Sequence, residues 1–66
     1  MAIMKSIEVM SESSKSFDDA IQEAITRTAK TVKHIKSANV KNMKTTVKDN
    51  KIDKYRVNVK ITFQVD

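Results

Sequence analysis

The sequence predicts an α+β fold: a β-α-β-β subunit whose three-stranded antiparallel sheet, in the order 1-3-2, wraps around one helix. Residues 54–65 alternate without a break between apolar and polar side chains, which is the pattern of a long, half-buried strand. Residues 17–32 instead repeat apolar side chains at steps of three and four, which indicates an amphipathic helix. Two shorter strand-like segments flank that helix, and together these elements form a single domain over residues 1–66.

The small size of the chain limits how its fold can be stabilised. A chain of 66 residues buries only about 60% of the surface that its unfolded form exposes. It contains no cysteine, so disulfides and thiolate metal sites are excluded. Two ways of stabilising the fold remain: a well-made single core, or burial against further copies of the chain in a homo-oligomer. The sequence has neither a long apolar run nor an apolar leader, so we expect no membrane span and a cytoplasmic location.

Positive charge is concentrated in the second half of the chain. Residues 1–33 carry five basic and five acidic side chains, whereas residues 34–66 carry eight basic and three acidic ones. One interpretation is a solvated strand face on which lysines prevent edge-to-edge pairing. The other is an anionic partner such as a phosphate, a nucleotide or a nucleic acid.

The first strand is predicted over residues 4–10 and is followed by a polar loop over residues 11–15. Ser16 then has the character of a helix N-cap, because its hydroxyl can accept from the first free N–H groups. Asp18 and Asp19 follow in the first turn, where negative charge suits the helix dipole. The helix is predicted to end near Lys33–Lys36, with His34 as an ordinary residue at its end. Its buried stripe consists of Phe17, Ala20, Ile21, Ala24, Ile25, Ala29 and Val32.

The remaining segments predict a hairpin. The second strand is expected over Ala38–Lys48, with a β-bulge where the apolar phase slips between residues 40 and 43. Asp49 and Asn50 suit a tight turn because both tolerate positive φ. The third strand, residues 54–65, spans roughly 40 Å, whereas a helix of about 17 residues spans roughly 25 Å. We therefore expect the sheet to curl, and its ends to be covered by neighbouring subunits.

Three segments of the chain resemble the dodecin family. They are Ile7-Glu-Val near the start, the helical segment Ser16-Phe-Asp-Asp-Ala through Arg27-Thr-Ala-Lys-Thr-Val32, and Tyr55-Arg-Val-Asn-Val-Lys-Ile-Thr-Phe63. The resemblance implies a β-α-β-β subunit, twelve of which assemble into a hollow sphere of cubic 23 symmetry. It also implies a binding and storage role without turnover, with riboflavin, FMN or a related flavin held in pairs at the two-fold interfaces.

The resemblance also identifies candidate ligand-binding positions. The family's flavin-binding members place a tryptophan after the helix, where it stacks on the isoalloxazine ring, and the matching residue here is Ser37. They place a glutamine after the tyrosine of the third strand, and here Tyr55 is followed by Arg56. Aromatic stacking contributes about 0.5–1.5 kcal/mol beyond area burial, so these replacements are expected to weaken flavin binding severely and leave the cofactor unknown.

Other ligands and functions remain open at this stage. Arg56 and Lys44, a basic position that family members share, suit an anionic ligand or an inorganic ion. A related branch of the family that lacks the tryptophan is associated with calcium. The candidate carboxylates Asp49, Asp53 and Asp66 are scattered, so we predict no metal site, and calcium remains an alternative only if symmetry gathers them. A basic nucleic-acid-binding module is a further alternative, although aromatics are few in the sheet. We predict no enzyme, because the sequence offers no nucleophile–base arrangement and no glycine-rich phosphate loop.

Overall fold

The computed structural model describes residues 2–65, which form three strands and one helix. The elements, in chain order, are β1 (Ile3–Ser13), α1 (Phe17–Thr28), β2 (Ile35–Lys48) and β3 (Lys51–Val65). The sheet order is β1-β3-β2, and β3 pairs antiparallel with both neighbours. The predicted α+β class, element order and sheet order are therefore confirmed.

The core lies between the helix and one face of β3, which we call the inner face of the sheet. Val57, Val59 and Ile61 are at most 1% exposed, and they pack with Ala20 and Ala24 of α1. The two alanines allow the helix backbone to approach the sheet closely. The opposite face, which we call the outer face, carries the even-numbered residues of β3 from Lys54 onward, because successive side chains of a strand alternate. A register shift between Thr46 and Val47 reverses this phase near the turn, so that Lys51 lies on the outer face opposite Lys48 and Ile52 on the inner face opposite Val47.

Ser13 and Ser16 fix the start of the helix. The Ser16 hydroxyl accepts from the backbone N–H of Asp19 at 3.0 Å, as predicted for an N-cap. The buried Ser13 hydroxyl donates to the Asp19 carboxylate at 2.6 Å and accepts from the backbone N–H of Lys15 at 2.9 Å. β1 thus continues three residues beyond the predicted boundary, and its last side chain organises the turn into α1.

The helix ends earlier than predicted. It stops at Thr28 instead of near Lys33–Lys36, and its last turn tightens, with the N–H of Lys30 bonded to the carbonyl of Arg27 at 3.2 Å. His34 adopts a left-handed conformation with φ 62°, and its carbonyl accepts from Gln64 of β3 at 3.0 Å. The chain therefore turns back onto the sheet at His34, and β2 starts three residues before the predicted boundary.

A β-bulge keeps the apolar residues of β2 on one face. The register shifts between Val40 and Asn42, which leaves Val40 opposite Val59 and Met43 opposite Val57. Both phases of β2 thus face the helix side, and the predicted slip is confirmed as a bulge. The predicted turn is confirmed as well, since Asp49 and Asn50 have φ values of 52° and 62°.

We predict that the two faces of β3 respond differently to truncation. Val59→Ala should lower the free energy of unfolding by about 2–3 kcal/mol, since it leaves a cavity in the core. Lys60→Ala is the matched control on the next residue, which is exposed, and should change it by about 0.5 kcal/mol or less. Urea unfolding followed by circular dichroism measures both, and equal losses would contradict the assigned faces.

Candidate functional site

The outer face of the sheet brings together a carboxylate and two cations in one row across the three strands. Arg56 in β3 lies opposite Glu12 in β1 and opposite Lys44 in β2. Residues directly opposite in antiparallel strands share a face and have neighbouring side chains. Lys44 and Arg56, which the sequence predicted as site residues, are therefore adjacent.

Arg56 is held against Glu12 by two hydrogen bonds to a single oxygen. Its Nε and Nη2 lie 3.2 and 2.8 Å from Glu12 Oε1, and both side chains are a little over one third exposed. The hydrogen bond from Arg56 lowers the pKa of the Glu12 carboxyl from its ordinary value of 4.5, against a smaller opposing effect of desolvation. Lys44 is exposed and takes part in no ion pair among the described residues.

A second ion pair crosses the whole sheet two rows away. Lys41, the bulge residue of β2, reaches over β3 and places its Nζ 2.7 Å from Glu8 Oε1 in β1. This hydrogen bond and the charge of Lys41 lower the pKa of the Glu8 carboxyl from 4.5. Between the two pairs lies Asn58, whose Oδ1 is buried and has no hydrogen-bond partner among the described residues. The two ion pairs and this amide therefore lie close together on the outer face.

Ser37 lies on the same face but far from the other two predicted residues. It pairs with Thr62 of β3, which is six residues from Arg56, a distance of roughly 20 Å along the strand. A protomer by itself therefore does not bring Ser37 together with Lys44 and Arg56.

Two open grooves flank the Glu12–Arg56 pair. One, of about 440 Å³, is lined by Met10, Ser11, Glu12 and Arg56. The other, of about 400 Å³, lies between β1 and α1 and shares Met10 and Glu12 with the first. Met10 is 76% exposed, although it is a large apolar side chain. The sequence prediction did not include Glu12 or Met10 as site residues. They lie beside Arg56 because β1 continues to residue 13 and its alternating side chains align with those of β3.

The described residues contain no aromatic ring on the outer face and no clustered metal ligands. Tyr55 and Phe63 occupy inner-face positions of β3, and Phe17 packs edge-on against Tyr55 with ring centroids 5.0 Å apart. Within residues 2–65, no group of three or more His, Cys, Asp or Glu side chains is placed to hold a metal ion; Asp66 lies outside the described residues. The only helix in that range has 12 residues, too few to span a membrane.

The family profile of the dodecins matches residues 3–66 of the chain. The chain belongs to the dodecin family. Among solved structures, the tt0972 protein of Thermus thermophilus is 26% identical, with a TM-score of 0.94 over 100% of this chain and 97% of that one. A dodecin from Streptomyces davaonensis is 22% identical, with a TM-score of 0.92 over 98% and 96% of the two chains, a level that shows the fold alone.

One further solved structure that is similar to this chain has a named ligand, calcium. It is a calcium-chelating antigen of Mycobacterium tuberculosis, called calcium dodecin and described with a novel calcium-binding site. It is 25% identical to this dodecin, with a TM-score of 0.84 over 97% of this chain and 91% of that one. No curated protein matches the chain.

The outer face of this dodecin does not fit a stacked flavin ring. Ser37 occupies the position where the sequence resemblance expects tryptophan, and the sequence contains no tryptophan at any position. Arg56 is turned towards Glu12, and the rings of the described residues lie on the opposite face of the sheet. The geometry offers charge and hydrogen-bond donors where flavin stacking requires an aromatic surface.

We predict that the two outer-face ion pairs contribute stability that acid removes. Because the pKa of Glu8 and of Glu12 is lowered in the folded state, their contribution is complete above the ordinary value and disappears as pH falls through the lowered values. Replacing both by Gln should reduce stability near pH ~7, and the difference from the parent should shrink as the pH falls below ~4.5. Urea unfolding at stepped pH measures this.

The matched control for this experiment is Asp53→Asn, an exposed carboxylate that forms no ion pair among the described residues. It should leave the pH dependence of unfolding almost unchanged. A double variant that is less stable than the parent by the same amount near pH ~7 and below pH ~4.5 would contradict the assignment.

Proposed function

We propose that this dodecin is a non-catalytic small-molecule binding and storage protein. It assembles into a hollow homododecamer, and a compact polar or anionic ligand, instead of a stacked flavin pair, occupies the contacts between two-fold-related protomers. The observation that supports the ligand class is the row Glu12–Arg56–Lys44, in which Glu12 pairs with Arg56 and Lys44 forms no ion pair among the described residues.

The exposed apolar side chains support the assembly. Ile3 is 61% exposed, Val47 66% and Ile52 57%, and their register places them on the inner face beyond the two ends of the helix. Contact with other copies removes this apolar surface from water at about 25 cal/mol per Å². A short chain without disulfides gains stability in this way.

The placement of the site residues supports a site shared between copies. Ser37 is roughly 20 Å from Arg56 on the same face of one protomer, and a two-fold axis between them brings Ser37 of one copy towards Arg56 of the other. Asn58 and Lys44 lie on that same outer face, and neither Asn58 Oδ1 nor the Lys44 ammonium group has a hydrogen-bond or ion-pair partner among the described residues. Such a site binds its ligand through charge-assisted hydrogen bonds, which are stronger than those between neutral groups.

Calcium is not the ligand that this outer face favours. Its carboxylates Glu8 and Glu12 are each engaged by a cation, whereas calcium requires six to eight oxygen ligands. Binding of calcium by this face would require both ion pairs to open.

Native mass spectrometry of the purified protein tests the assembly. A mass of twelve chains of 7.5 kDa is the expected result, and any mass beyond that number identifies a co-purified ligand. A monomer or dimer would overturn the proposed dodecamer.

The loss of flavin binding should be reversible by two substitutions. Ser37→Trp combined with Arg56→Gln restores an aromatic surface and an amide, and should tighten riboflavin binding at least tenfold, given about 1 kcal/mol for each stacking contact. Quenching of riboflavin fluorescence measures the affinity.

The matched control is Asn39→Trp, which places the same ring on the same face of β2, opposite Lys60. It should not change riboflavin affinity. If the double variant assembles normally and quenches no more than the parent protein, the account of the altered site is wrong.

A further inference from the structure

The β2–β3 hairpin extends beyond the rest of the sheet as a two-stranded arm. β1 ends at Ser13, which lies opposite Tyr55. Residues 51–54 of β3 therefore pair only with β2, and the arm comprises residues 46–54 with the turn at Asp49 and Asn50. Its outer face is flanked by neither β1 nor α1.

Cations occupy three consecutive rows on the outer face of the arm and its base. The rows are Lys44 with Arg56, Thr46 with Lys54, and Lys48 with Lys51. Rows in a strand are separated by roughly 7 Å and opposed residues by roughly 5 Å. The five cations thus form one continuous stripe, and Glu12 is the carboxylate that pairs with it, at the Arg56 end.

The pairing of Lys48 with Lys51 is unfavourable for the isolated protomer. Like charges directly opposite each other in a sheet destabilise it, and both lysines are exposed. Neither takes part in an ion pair among the described residues, and nor do Asp49 and Asp53, the two carboxylates of the arm. A bound polyanion relieves this repulsion by lying between the two rows of ammonium groups.

We propose that the outer face of the arm binds a flexible chain of phosphates, of the inorganic polyphosphate class. The stripe matches a ligand with regularly repeated negative charges, because its cations repeat along the strands and across them. The arm residues Lys48, Lys51 and Lys54 lie outside the proposed two-fold site, which the stripe meets at Lys44 and Arg56. Binding to these arm residues needs no second copy of the chain.

Two other polyanions fit this face less well. Single-stranded nucleic acids gain affinity from bases that stack on aromatic rings, and the rings of the described residues lie on the inner face. An anionic membrane would have to contact the apolar Val47 and Ile52 on one side of the arm and the lysines on the other. A flat membrane surface therefore cannot contact the apolar side chains and the lysines of the arm at the same time.

Fluorescence anisotropy of labelled inorganic polyphosphate with the full-length protein tests the proposal at several salt concentrations. Lys48→Gln with Lys51→Gln should weaken binding on the order of tenfold, and should lower the slope of log affinity against log salt by about 1 for each lysine. Lys30→Gln with Lys33→Gln is the control, since it removes the same charge from two exposed positions near the end of α1. The control should weaken binding less than about twofold, by net charge alone.

The stability of the variants separates a binding effect from misfolding. The arm variant should unfold at the same or a higher temperature than the parent, because it removes an opposed pair of like charges. Its mass in native mass spectrometry should equal that of the parent, so that a loss of polyphosphate binding is distinguishable from a loss of assembly.

Several results would overturn the proposal. Equal losses in the arm variant and the control would show attraction by net charge alone. Tighter binding of a single-stranded oligonucleotide than of polyphosphate, or binding to vesicles of anionic lipid without binding to polyphosphate, would assign the stripe to another class of partner. Absence of polyphosphate binding at low salt would reject the site altogether.

Discussion

The difference in length between the helix and the central strand governs the structure of this dodecin. α1 has 12 residues and β3 has 15, which correspond to roughly 18 Å and 50 Å. A helix of this length buries only the middle of the strand, where Val57, Val59 and Ile61 lie. The longest dimension of the protomer, 51 Å, is therefore that of its sheet. The apolar ends of the inner face follow from this mismatch, whereas the projecting arm arises because β1 ends opposite Tyr55.

The sequence predicts the fold well where one periodicity decides the structure. The alternation of β3 is unbroken, so its faces and its central position follow directly from the residues. The slip in β2 is equally informative, because only a bulge keeps both of its apolar phases against the same core. The end of the helix is not predictable in this way. Ala29 and Val32 continue the helical spacing, whereas the helix ends at Thr28 and the chain joins the sheet at His34, whose carbonyl accepts from Gln64, 30 positions away.

The site is predicted only in part, for a related reason. Lys44 and Arg56 follow from their positions in adjacent strands of one hairpin, whose register is determined by the turn. Glu12 and Glu8 belong to β1, and their partners depend on how β1 aligns with β3 across the helix. A shift of one residue in that alignment would transfer every side chain of β1 to the other face. The ion pairs of Glu8 and Glu12 therefore depend on the register between β1 and β3, which cannot be predicted from local sequence patterns.

The left-handed residues also affect the behaviour of the unfolded chain. His34, Asp49 and Asn50 adopt positive φ in a sequence that has no glycine. A side chain at such a position restricts the backbone in the unfolded state as well, so less conformational entropy is lost on folding than with glycine. Each of these residues adds a local strain of about 1 kcal/mol to the folded state. The unfolded chain samples fewer backbone conformations at these positions than it would with glycine. The unfolded chain rarely visits positive φ at these three positions, so the left-handed turns form together with the hairpin and sheet contacts that hold them.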